Sequence, residues 1–69
     1  MILTPNQKDK AIETTCSNLV IAELLTPQEL TSYMEELTQE SNEVILSTLI
    51  FSHMAREEYY QNFSRSRVN

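Results

Sequence analysis

Glycine is absent from this 69-residue chain, and that one absence excludes more than any other. Phosphate-cradling loops, dinucleotide fingerprints and nucleophile elbows all need a residue that tolerates positive φ or a close backbone approach. Tight two-residue hairpins lose their preferred turn residue as well, so the chain reads as helices joined by short polar links. Cysteine occurs once, as Cys16, which rules out an intrachain disulfide. Histidine also occurs once, as His53, with no second strong ligand at helical spacing for a structural zinc. Neither a cofactor nor a resident metal is therefore expected, and nothing in the sequence marks an enzyme.

Positive charge is scarce too. Five Lys and Arg stand against ten Asp and Glu, a net charge of −5. Between Ala11 and Ala55 there is no Lys or Arg at all, while Glu13, Glu23, Glu29, Glu35, Glu36, Glu40 and Glu43 all fall there. Phosphates are held by clustered Lys and Arg, so direct nucleic-acid binding is not expected. The apolar runs are only a few residues long, which argues against a membrane span. Met1 to Pro5 lacks the basic segment and apolar stretch of a secretory signal. A cytoplasmic protein with a reduced thiol is the resulting expectation.

A chain of this length makes one domain and buries a modest fraction of its surface, so it usually leans on disulfides, a metal or a partner. With the first two set aside, association remains. The stretch that calls for it is Val44, Ile45, Leu46, Leu49, Ile50 and Phe51, continued by Met54. At 100° per residue these side chains cover most of a helix circumference, interrupted only by Ser47 and Thr48, and such a segment must be surrounded. A strand over Val44 to Phe51 is the rival reading, but no second strand-like run exists to pair with it.

Two copies of one start signal precede it: Leu3-Thr4-Pro5-Asn6-Gln7 and Leu25-Thr26-Pro27-Gln28-Glu29. Each offers Thr as N-cap, Pro at the first helical position and Gln or Glu three residues after the cap. The second copy looks the better formed, with Leu25 and Leu30 as a hydrophobic staple. Helix 1 is expected from Pro5 to Leu24, with a solvated first turn containing Lys8 and an apolar stripe of Ile12, Cys16, Leu19, Val20 and Leu24. Helix 2 is expected from Pro27 to Glu40, with Leu30, Tyr33, Met34 and Leu37 inward. Helix 3 is expected from Asn42 to Phe63 with Ser41 as N-cap, unless it is continuous with helix 2, since no Gly or Pro forces a stop between them. Residues 1–63 then form one helical domain, and residues 64–69, which lack periodicity, a flexible tail.

Cys16 on its apolar stripe reads as core, and the His53–Glu57 pair, one helical turn apart, as an ordinary surface pair. Tyr59, Tyr60 and Phe63 gather near the end of helix 3, where aromatic side chains anchor interfaces or close a bundle. The sequence thus points to an all-α protein, a small helical hairpin or three-helix bundle assembled as a dimer. Val44, Ile45, Leu46, Leu49, Ile50, Phe51 and Met54 form the dimer or partner interface, and Glu35, Glu36, Glu40, Glu43, Tyr59, Tyr60 and Phe63 a second, partner-binding surface. The expected work is non-catalytic binding of another protein, as an adaptor or inhibitor suited to a bacterium or phage. Two alternatives stand beside it, an acidic nucleic-acid mimic and a purely structural homo-oligomeric subunit.

Overall fold

A computed structural model describes residues 2–67, with side chains through Arg65. It contains three helices and, among the described residues, no strand: α1 (Pro5–Ile21), α2 (Pro27–Thr38) and α3 (Asn42–Arg67). Of the two architectures left open by the sequence, the three-helix one is found. The link 39–41 separates α2 from α3, and Ser41 marks the boundary by accepting the Val44 N–H at 3.3 Å on its Oγ. Glu43 lies in the first turn of α3, where a carboxylate meets the positive end of the helix dipole.

Both Thr-Pro signals start helices; the first caps as its sequence implied, and the second differs in the role of its hydroxyl. Around Thr4 the exchange is reciprocal: the Gln7 N–H donates to Thr4 Oγ1 at 3.2 Å, and the Thr4 N–H donates to Gln7 Oε1 at 3.0 Å. Around Thr26 the hydroxyl donates instead of accepting. Its O–H donates a hydrogen bond to Glu29 Oε1 at 2.7 Å, and the Thr26 N–H donates to the same oxygen at 3.2 Å. A carboxylate can only accept, so it draws both donors, and the Glu29 N–H settles on the Thr26 carbonyl at 3.0 Å.

Helix α1 stops three residues short of Leu24, the expected end. The chain leaves it through Glu23, whose φ of 62° lies in the left-handed region. The Leu24 N–H reaches the Leu19 carbonyl at 2.9 Å and the Glu23 N–H reaches that of Val20 at 3.0 Å, the two bonds of a Schellman ending. Glycine usually occupies that position; here a glutamate takes it. Leu24 is turned out of the expected stripe and left 59% exposed. At the other end of the chain, α3 continues past Phe63 through Arg67, and the rest of the expected tail, Val68 and Asn69, lies outside the described residues.

Helix α2 runs back along α1, and α3 then lies parallel to α1, with Asn18 beside Ser52 and Arg56 and Glu23 beside Tyr59. The core is small: Ala11, Ile12, Cys16, Leu37 and Ile45, flanked by Leu25, Leu30, Tyr33, Met34 and Leu49. Cys16 is core, as its place on the stripe implied, and burial pushes its thiol pKa up, which holds it as the unreactive thiol. Lys8 is not a freely solvated side chain. It is half-buried, and its ammonium donates to the Thr38 carbonyl at 2.9 Å, tying the start of α1 to the end of α2. Helix α3 outruns α1 by nine residues, about 14 Å at 1.5 Å per residue, and the molecule is an elongated slab of 45 × 27 × 16 Å.

Candidate protein-binding face

Helix α3 divides the apolar stretch between two surroundings. Ile45 is fully buried, which removes it from the expected interface: its side chain is spent inside the chain's own core. Leu49 packs against the same core, and Ser52 and Arg56 continue that inner edge at steps of three and four residues. Leu46 is half-buried at the margin. The remainder points away. Val44 is 42% exposed, Ile50 61%, Phe51 57% and Met54 66%, and at 100° per residue these four share an arc of about 120° opposite Ile45 and Ser52.

The inner edge of α3 is not purely apolar but carries a hydrogen-bonded polar seam. Asn18, fully buried on α1, donates through Nδ2 to Ser52 Oγ at 3.2 Å, and Ser52 donates to the Leu49 carbonyl at 2.7 Å. Arg56 Nη1 donates to Asn18 Oδ1 at 3.1 Å, and its guanidinium carbon lies 5.5 Å from the centre of the Tyr60 ring. Thr15, also fully buried, donates back to the Ala11 carbonyl at 2.7 Å. Every buried side-chain nitrogen and oxygen among the described residues has a hydrogen-bond partner, so this seam holds α1 to α3 without an unsatisfied group. Sequence reasoning missed it because Asn18 and Ser52 resemble solvated residues. The signal was the spacing Ile45, Leu49, Ser52, Arg56, which traces one helix edge.

Where α1 ends and α3 continues, a groove of about 340 Å³ opens beside the exposed face, lined by Ala22, Leu24, Phe51, Met54, Ala55 and Tyr59. Glu58 and Asn62 complete its wall. The Tyr59 hydroxyl donates to Glu23 Oε1 at 3.3 Å, and the nearby carboxylate charge raises the Tyr59 pKa by disfavouring the phenolate. Tyr59 stacks on Phe63 with ring centres 6.5 Å apart and meets Tyr60 edge-on at 6.1 Å. These rings form a ladder at the part of α3 beyond α1.

The expected second surface is not one surface. Glu35, Glu36 and Glu40 gather with Ser32 and Gln39 around an open depression on α2. Glu43 stands in the first turn of α3, about 24 Å along the helix from Tyr59 at 1.5 Å per residue. No group of three or more His, Cys, Asp or Glu side chains among the described residues is arranged to hold a metal ion. No described helix is long and apolar enough to cross a membrane. The chain matches no family model, no curated protein and no solved structure.

Proposed function

We propose that this protein is a non-catalytic, helical protein-binding regulator that acts as an adaptor or inhibitor through the outer face of α3. The observation that supports this most directly is that Ile50, Phe51 and Met54, each more than half exposed, lie together beside an apolar groove instead of in the core. Scattered apolar residues on a surface need no explanation, whereas a contiguous set on one helix face is a common mark of an interaction site. The elongated slab presents that face without obstruction, and Tyr59 adds an aromatic edge to the wall of the groove beside it. Two occupants compete for it, a second copy of the chain and a different protein. The cytoplasmic setting expected from the sequence belongs to the same proposal.

Affinity capture from the native host, run in parallel with the wild-type chain and Met54→Asp, tests this reading. The wild-type chain is expected to retain a protein that Met54→Asp, with unchanged helical circular dichroism, does not. Equal retention by both chains would remove α3 from the account. Retention of nothing, together with self-assembly in sedimentation, would leave the purely structural subunit.

A further inference from the structure

We infer that the outer face of α3 receives a basic amphipathic helix of another protein, an apolar stripe flanked by Lys or Arg, and not a second copy of this chain. The inference rests on the binding role proposed above and chooses the occupant by charge. The apolar arc is closed at both ends by carboxylates: Glu43 lies one residue before Val44, and Glu57 and Glu58 follow Met54 by one turn. All three are exposed. Glu58 lines the groove itself, and Glu23, bonded to the Tyr59 hydroxyl, adds a carboxylate next to Tyr59 of its wall.

Of the cations whose side chains the structure describes, neither Lys8 nor Arg56 is placed to answer them. Lys8 is engaged at the Thr38 carbonyl, and Arg56 is turned inward onto Asn18 and the Tyr60 ring. A second copy therefore brings acid to acid. Parallel stacking of two α3 helices sets each glutamate against its own counterpart. In the antiparallel register that faces Val44 with Met54 and Ser47 with Phe51, Glu58 is carried to the start of α3, towards Glu40 of the link before it. Sliding the copies until the exposed Arg65 reaches Glu43 sets Phe51 and Ile50 against Glu57 and Glu58, which desolvates carboxylates on an apolar surface. Like charges juxtaposed across an interface disfavour the wrong partner, while opposite charges at its rim favour the right one and hasten encounter. A helix carrying Lys or Arg beside its apolar stripe meets both requirements at once, the stripe on Ile50, Phe51 and Met54 and the cations on the carboxylate rim.

The test uses the full chain and three designed 18-residue amphipathic helices that share one Leu stripe and differ only in flanking residues: Lys, Gln or Glu. Binding is followed by fluorescence anisotropy at low and high salt, beside sedimentation of the protein alone. The Lys-flanked helix is expected to bind about tenfold more tightly than the Gln-flanked one at low salt, the Glu-flanked one least, with the differences shrinking as salt rises. Met54→Asp is expected to lose the Lys-flanked helix, and the protein alone to sediment as a monomer at micromolar concentration. Equal affinity for all three peptides, abolished by Met54→Asp, would overturn the basic partner and leave the docking face standing. Self-association lost in Met54→Asp would assign the face to a second copy. No binding of any peptide, or binding unaltered by Met54→Asp, would overturn both the partner and the face.

Discussion

Glu23 shows most directly what a chain without glycine has to accept. Its φ of 62° is the only positive value among the described residues, and a residue with a Cβ pays roughly 1 kcal/mol for it relative to glycine. Partial compensation comes from the Tyr59 hydroxyl bond to its carboxylate, which is exposed and so contributes little. Glu23→Gly is expected to stabilise the chain by about 0.5–1 kcal/mol in urea denaturation, whereas Glu23→Ala keeps the strained backbone, loses the Tyr59 bond and gains nothing. Equal stability of the Gly and Ala variants would show that the left-handed turn is unstrained. None of this was legible in the sequence. A glutamate carries no local mark of a helix ending, and the stripe of α1 reads on through Leu24 as though the helix did too. Asn18 and Ser52 were illegible for a related reason. A buried amide or hydroxyl is distinguished from a solvated one by its partner, here 34 residues away in the chain.

Helix starts were legible at the scale of the element, because caps are local chemistry. Thr4, Thr26 and Ser41 each stand at the boundary their sequence context implied. The detailed exchange of donors around Thr26 was not legible, since it depends on which oxygen the hydroxyl faces. That exchange has a pH signature. The Thr26 hydroxyl, and then its N–H, hold the Glu29 carboxyl below the ordinary glutamate pKa, so the folded state binds that proton less readily than the unfolded one. The resulting stabilisation is complete above the ordinary glutamate pKa. It is lost as pH falls below that value and through the depressed one. Glu29→Gln keeps an acceptor oxygen for Thr26 but cannot titrate, so its Tm should fall less steeply than the wild type's between about pH 5 and pH 3. Parallel Tm curves for the two chains over that range would mean that the α2 cap contributes no pH dependence. The other carboxylates are common to both chains and cancel in the comparison.

For the whole molecule, the sequence located the apolar stretch of α3 but not its division. A segment that is apolar nearly all round has no periodicity to say which edge turns inward. The decision falls to the partner helix, and α1 offers a mixed edge of Ile12, Cys16 and Asn18 that takes Ile45, Leu49 and Ser52. Two residues of α3 six positions apart, Ile45 and Phe51, consequently have opposite thermodynamic roles although both belong to the same hydrophobic run. Ile45 is fully buried in a core of few side chains, so Ile45→Ala removes packing that nothing nearby can replace and should cost about 2–5 kcal/mol. Phe51 is 57% exposed on the far side, and Phe51→Ser should change the stability of the isolated chain by no more than about 0.5–1 kcal/mol. Circular dichroism melts of both variants over a tenfold concentration range measure the contrast. A Phe51→Ser chain that melts as early as Ile45→Ala, with a wild-type midpoint that rises with concentration, would mean that the outer face is already covered by a second copy. A midpoint independent of concentration, with Phe51→Ser near wild type, is the expected result, because a face bounded by Glu43, Glu57 and Glu58 gains too little from an equally acidic copy to offset their repulsion.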